Sequence, residues 1–171
     1  MIIPVLKMGA KSLLEPSQEV TPAEFNHPDL LQLIQNLHDT QKHLGGVGIA
    51  APQIGINKRV LIIEYFQNEI NRYQDIGDCP LKVIINPRIS AIDNAWSNFN
   101  EGCLSLPGLR GEVSRPAAIS YQYYDQFANL HQGEDSGFFA RVLQHECDHL
   151  DGILYPMKMQ DLSTLAFVEL A

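Results

Sequence analysis

The segment SGFFARVLQHECDHLDG, residues 136–152, predicts the helix around which we expect the rest of the chain to fold. Apolar side chains recur along it at helical spacing. Asp135 or Ser136 can cap its start, and Gly152 follows Asp151 as its stop. The helix is therefore predicted to run from one of those two caps to Asp151.

This helix carries an H-E-x-x-H motif. His145 and His149 are four residues apart, so they lie one above the other and both imidazoles can reach one metal ion. Glu146 lies beside that face, where its carboxylate can take a proton from a metal-bound water. Polar side chains without partners would be costly on so apolar a helix. We therefore favour a metal site over two surface histidines that share this spacing by chance.

A catalytic metal site needs a third protein ligand and an open position, and three candidates compete for that role. A histidine six residues after His149 would complete an H-x-x-G-x-x-H pattern, but Tyr155 occupies that place. Glu169 is the only downstream glutamate, and its place near the chain end is poor for a rigid ligand. The third candidate is Cys103, in EGCLS, whereas Cys147 points to about the opposite side of the helix.

The remaining pattern predicts one α+β domain over residues 1–171. A further helix is expected from Pro28 to about His43, with Asn26 or His27 near its cap and Gly45-Gly46 at its end. The segments predicted as strands are Val60–Glu64, Lys82–Ile85 closed by Asn86-Pro87, Ala118–Tyr124, and a short strand after a turn at Asp125–Asn129. Strands that flank isolated helices without β-α-β alternation indicate the α+β class.

Composition excludes several classes of protein. The 171 residues are 45% apolar and 19% charged, which is typical of a globular protein and not of a disordered one. A formal charge of -8 argues against general nucleic-acid binding, including DNA. No apolar run approaches the ~20 residues that span a bilayer, and no secretory signal opens the chain. With three sparse cysteines (Cys79, Cys103 and Cys147), these features predict reduced thiols and a cytoplasmic location without membrane attachment.

Three blocks in order resemble the peptide deformylase family: GVGIAAPQ at 46–53, EGCLS at 101–105 and QHECDH at 144–149. The resemblance extends from about Val5 to Met159. It implies antiparallel β-sheets packed around a central metal-binding helix. It also implies a hydrolase that removes the formyl group from the N-terminal formyl-methionine of new polypeptides, giving formate and a free amine.

The same resemblance implies that Cys103, His145 and His149 bind one divalent metal. Fe²⁺ is the ion expected in vivo, with Zn²⁺, Ni²⁺ or Co²⁺ in a purified sample. The ligand set alone would have suggested zinc. A metal-bound hydroxide is expected to attack the formyl carbon, with Glu146 as general base and then general acid.

Family resemblance also implies the other site residues. Gln53 and the Leu104 backbone N–H would donate to the developing oxyanion, and Gly48 would let the substrate approach its backbone. The residues implied around the methionine side chain and the peptide are Val47, Phe99, Glu101 paired with Arg115, Arg110, Phe138, Arg141 at the rim, Val142 and His145.

The metal motif is also compatible with two other functions, and the C-terminal segment affects which partners are expected. A zinc metallopeptidase of general specificity is supported by the motif helix alone, and is opposed by Cys103 as a ligand and by the missing third histidine. A structural Cys/His module would need a fourth ligand. The tail at 162–170 is short, apolar and acidic, and is expected to close a sheet edge as a strand. Since it is not the long basic helix of many family members, any transient ribosome contact would use an unknown mode. The expected partners are formyl-methionine nascent peptides.

Overall fold

The computed structural model describes residues 1–69 and 76–168, and its elements form two antiparallel sheets and two α-helices. The helices are α1 (Pro28–Leu44) and α2 (Phe138–Leu150). The strands are β1 (Gly48–Ala50), β2 (Val60–Tyr65), β3 (Cys79–Ala91), β4 (Trp96–Cys103), β5 (Leu106–Pro116), β6 (Ile119–Tyr124), β7 (Leu130–Asp135) and β8 (Ala166–Phe167). Short 3-10 helices lie at Lys11–Leu14, Pro22–Glu24, Ala51–Ile54, Gln67–Glu69, Tyr155–Lys158 and Leu162–Thr164.

The larger sheet, in the order β1-β2-β3-β6-β7, separates the two helices. In β2, Val60 and Ile62 pack in the same buried cluster as the apolar side chains of α1. Leu61 and Ile63 point the other way and pack with those of α2, as the two-residue repeat of a strand requires. The smaller sheet, β4-β5-β8, lies on the far side of α2. The predicted α+β class, with antiparallel sheets around a central helix, is confirmed.

The prediction for α1 is confirmed. His27 is its N-cap, and its imidazole accepts a hydrogen bond from the Asp29 backbone N–H at 3.3 Å. The helix ends at Leu44 because Gly45 adopts the left-handed conformation, with φ of 63°.

The predicted N-cap of α2, Asp135 or Ser136, is one or two residues too early. Its N-cap is Gly137, because Asp135 is the last residue of β7. Asp135 still supports the helix start, since its Oδ1 accepts hydrogen bonds from the backbone N–H groups of Gly137 and Ala140 at 2.8 and 3.0 Å. Asp151 is the C-cap, and Gly152 follows it with φ of 73°.

The strand predicted at Lys82–Ile85 was expected to end at Asn86-Pro87. This end is wrong, because β3 continues to Ala91. Asn86 has φ of 50°, and the register with β6 shifts between Ile85 and Arg88. A proline has no N–H for the ladder, so it is tolerated at such a bulge.

The strands β4 and β5 were not predicted, whereas the strand expected in the tail is confirmed as β8. It pairs antiparallel with β5, with Phe167 opposite Leu109. The candidate ligand Glu169 lies outside the described residues. In the described part of the chain, no helix is both long enough and apolar enough to cross a bilayer.

Candidate metal centre and its cavity

Three side chains converge between α2 and the smaller sheet. The Cys103 thiol, at the end of β4, meets the imidazoles of His145 and His149, and one ligand atom from each lies within 4.8 Å of the others. Cys103 Sγ is 3.2 Å from His149 Nε2. Among the described residues, no fourth His, Cys, Asp or Glu joins this group. A thiolate and two imidazoles at such separations suit one divalent transition metal, with a coordination position left open.

Cys103 and Cys147 differ in the pKa of their thiols. Burial alone would raise the pKa of the Cys103 thiol, but the imidazoles of His149 and His145 hold that pKa well below its ordinary value. Cys103 therefore favours the thiolate that a metal requires. Cys147 is buried in the apolar cluster between α2 and the larger sheet, where burial raises the pKa of its thiol. It is a packing residue.

His145 is oriented by a buried carboxylate. Its Nδ1 lies 2.8 Å from Glu101 Oε2, so this nitrogen donates to Glu101 and Nε2 is left for a metal. The predicted Glu101–Arg115 pair is present and bidentate, at 2.6 and 2.9 Å. Arg115 also donates to Asp148 Oδ2 at 2.6 Å. Although burial opposes its ionisation, Arg115 and His145 hold the pKa of Glu101 below its usual range.

Arg141 is held inside the cavity wall by protein acceptors. Its guanidinium donates to Glu101 Oε1 at 3.2 Å, to the Val113 carbonyl at 3.2 Å and to the Ser97 carbonyl at 2.7 Å. It also lies over the Phe99 ring, with Cζ 5.7 Å from the ring centroid. The side chain therefore braces Glu101 and the pocket wall.

Glu146 follows the candidate metal ligand His145 on α2, and one of its carboxylate oxygens makes no hydrogen bond with the described residues. The side chain is buried, and its Oε2 has no hydrogen-bond partner among the described residues. Burial raises the pKa of Glu146 to about 7. Gly48 lies directly against it, since a Cβ on Gly48 would be 2.7 Å from Glu146 Oε1 and 3.0 Å from Val142 Cγ1. The glycine at position 48 thus gives the Glu146 carboxylate its room.

Gln53 has a fixed amide orientation. Its Oε1 accepts from the Ala50 backbone N–H at 2.8 Å, and its Nε2 donates to Ser105 Oγ at 3.2 Å. The same Nε2 is 3.6 Å from Cys103 Sγ, so the donor end faces the ligand set. Lys7 steadies the opposite loop by donating to the Leu104 carbonyl at 3.0 Å.

These groups open into one cavity of about 480 Å³. All but two of the site residues predicted from the sequence line it: Val47, Gly48, Gln53, Phe99, Glu101, Cys103, Leu104, Arg110, Phe138, Arg141, Val142, His145 and Glu146. His149 and Arg115, the partner of Glu101, do not line it. One end of the cavity is apolar, where the Phe99 and Phe138 ring centroids are 5.9 Å apart.

Sequence reasoning missed four residues that support the site. Asp148 is three residues from His145 on the same helix, and that spacing could have indicated a shared side. Tyr155, rejected as a ligand, stacks on His145 with ring centroids 6.2 Å apart. Ser105 and Lys7 contact Gln53 and Leu104 from distant segments, and no local pattern signals those contacts.

Comparison with known proteins gives a consistent result. The sequence profile named "Polypeptide deformylase" matches residues 2–164. "Peptide deformylase 2" of Ralstonia nicotianae is 45% identical over 170 residues, covering 99% of this chain and 94% of that protein. A class I type b peptide deformylase from Acinetobacter baumannii, solved with Met-Ala-Ser bound, has a TM-score of 0.87 and 36% identity, with 93% of this chain and 99% of that chain covered. The Ehrlichia chaffeensis peptide deformylase, in complex with actinonin, has a TM-score of 0.82 and 32% identity, covering 95% and 91%.

Proposed function

This chain belongs to the polypeptide deformylase family, and we propose that Cys103, His145 and His149 bind its metal ion while Glu146 transfers the proton. The protein is a metal-dependent hydrolase that removes the N-formyl group from the N-terminal formyl-methionine of new polypeptides. The observation that carries the residue assignment is the convergence of three ligand atoms within 4.8 Å, beside a buried carboxylate, in an apolar cavity.

The bound metal would lower the pKa of water and polarise the formyl carbonyl. We propose Fe²⁺ as the physiological ion, with Zn²⁺, Ni²⁺ or Co²⁺ able to replace it in purified protein. Cys103 contributes a thiolate, and Glu101 keeps His145 in the tautomer whose Nε2 can bind. This chain thus supplies three ligands and the groups that orient them.

Glu146 is proposed to accept the proton of the attacking water and to deliver it to the departing amine nitrogen. Glu146 lines the same cavity as Cys103 and His145, and its Oε2 has no hydrogen-bond partner among the described residues, so no such bond has to break first. Its pKa of about 7 lets it both take and return a proton near neutral pH.

Gln53 and Leu104 are proposed to stabilise the negative charge that develops on the formyl oxygen. The Gln53 Nε2 donor already faces the ligand set, because Ala50 holds the other end of the amide. The Leu104 backbone N–H follows Cys103 directly. Preplaced donors of this kind need no reorganisation during the reaction.

The apolar end of the cavity is proposed to bind the methionine side chain. Val47, Phe99, Phe138 and Val142 line it, and a flexible thioether fills an irregular apolar pocket well. Arg110, at the cavity wall, is proposed to contact the peptide backbone.

Substrate preference tests this assignment. An alanine side chain cannot make the pocket contacts of methionine. The kcat/KM for formyl-Ala-Ala-Ser should therefore be about 10- to 200-fold lower than for formyl-Met-Ala-Ser. Formate release by the metal-loaded enzyme measures both rates. Unformylated Met-Ala-Ser is the control and should stay intact, including its internal peptide bonds. Equal rates for the two formyl peptides would refute the pocket, and cleavage of internal bonds would indicate a general metallopeptidase.

The proposed substrate, a newly made polypeptide, indicates where the enzyme acts. We propose that it works in the cytoplasm and contacts the ribosome transiently as new chains emerge. Co-sedimentation with translating ribosomes checks this contact, and its absence at low salt would contradict it.

A further inference from the structure

We propose that Gln41 is a positioning residue for the peptide substrate, because it fixes the backbone of residues 45–47 in the cavity wall. The inference rests on the proposed function. It concerns how the enzyme holds the peptide beyond its first residue, and Gln41 itself does not line the cavity.

Gln41 is a buried polar residue in the last turn of α1, with 1% of its surface exposed. Its Nε2 donates to two backbone carbonyls, that of Glu64 at 2.9 Å and that of Gly46 at 3.3 Å. Glu64 lies in β2, and its own N–H donates to the Val47 carbonyl at 3.1 Å. The Gln41 amide therefore joins the two chain segments at the point where the β1–β2 pairing ends.

Both backbone polar groups of Gly46 are hydrogen-bonded to Gln41. Its N–H donates to the Gln41 carbonyl at 3.0 Å, while its own carbonyl accepts from the Gln41 side chain. The Gly46 carbonyl is thereby turned toward α1. Gly46 is also tightly packed, since a Cβ there would be 3.4 Å from Gln41 Cγ and 3.0 Å from Leu104 Cδ1. A displacement of Gly46 would therefore change its packing against the Leu104 side chain.

The segment that Gln41 holds borders an open sheet edge. Gly46, Val47 and Gly48 line the cavity, and β1 is the terminal strand of the larger sheet. An extended peptide can add to such an edge through main-chain hydrogen bonds. The backbone groups offered to the peptide depend on the orientation of Gly46, which Gln41 determines.

The attachment of α1 to β2 does not depend on Gln41 alone. The Glu64 carboxylate lies 3.0 Å from His38 Nε2 and 3.2 Å from Lys42 Nζ, both on α1. Replacing Gln41 should therefore loosen the cavity wall locally and leave the helix in place.

The variant Gln41→Met tests the proposal, since it keeps the length of the side chain and removes both donors. For formyl-Met-Ala-Ser, KM should rise about three- to tenfold, as expected for the loss of one or two net hydrogen bonds. The value of kcat and the metal content should change little. For formyl-Met alone, KM should barely move, because no downstream residue lies along the wall. Gln35→Met, an exposed amide on the same helix, is the matched control.

The outcomes separate this inference from the proposed function. Wild-type protein that releases no formate would overturn both. Active wild-type enzyme with an unchanged KM in Gln41→Met, or with equal changes for the two substrates, would overturn the role of Gln41 only. If the variant does not fold, NMR of the unmodified enzyme decides. The side-chain amide signal of Gln41 should shift when Met-Ala-Ser binds while that of Gln35 does not, and an unmoved Gln41 signal would contradict the proposal.

Discussion

Replacing Glu146 with glutamine should lower turnover by about 10²–10⁴-fold, the range for losing a positioned acid–base group. The amide keeps the shape of the side chain beside Gly48 but cannot accept a proton near neutral pH. Metal content should stay near one ion per chain, because the proposed ligands are Cys103, His145 and His149. Stability should also be kept, since burial disfavours a charge at this position and an amide carries none. KM for formyl-methionyl peptides should change little.

Steady-state kinetics and metal analysis on the same preparation check this prediction. Glu134→Gln, an exposed carboxylate on β7, is the control for the chemical change itself. Loss of metal from Glu146→Gln would make Glu146 a ligand. Retention of both metal and activity would assign the proton transfer to another group.

Replacing Cys103 with serine should remove most of the bound metal and, with it, most of the activity. A serine hydroxyl at this position cannot replace the thiolate that His149 and His145 stabilise. We expect this loss to appear in metal analysis and in formate release together, while the far-ultraviolet circular dichroism of the fold is unchanged.

Cys147→Ser is the matched control and should behave in the opposite way. It buries a hydroxyl in the apolar cluster between α2 and the larger sheet, at a cost of about 1–3 kcal/mol in the free energy of unfolding. It should nevertheless bind metal and release formate like the wild type. Equal metal loss in the two variants would remove the assignment of Cys103 as the ligand.

The motif helix could be predicted from the sequence because its signals are local. The spacing of His145 and His149, the apolar stripe and the stop at Gly152 all lie within one continuous segment, and the structure has α2 there. Its start was predicted one or two residues too early, because Asp135 supports the helix through its carboxylate while its backbone belongs to β7. A side chain outside the helix gives no periodic signal.

Long-range contacts limited the rest of the prediction. Strand β4 is half exposed and reads WSNFNEGC, so it has no alternation of apolar and polar residues to reveal it. Spacing alone left Cys103 as one candidate ligand among several, because it meets His149 across 46 positions of sequence. The network that joins Glu101, Arg115 and Asp148 likewise depends on how β4, β5 and α2 pack. Only the family resemblance anticipated part of it.

An anaerobic titration of metal-free protein with Fe²⁺ tests whether one metal ion at Cys103, His145 and His149 is required for catalysis, with formate release from formyl-Met-Ala-Ser and bound metal measured in each sample. We expect no activity without metal, a rise in proportion to bound Fe²⁺, and a plateau at one ion per chain. The same titration of Cys103→Ser should show neither tight binding nor the rise. Formate release by fully metal-free protein, or a plateau unrelated to occupancy of one site, would contradict this expectation.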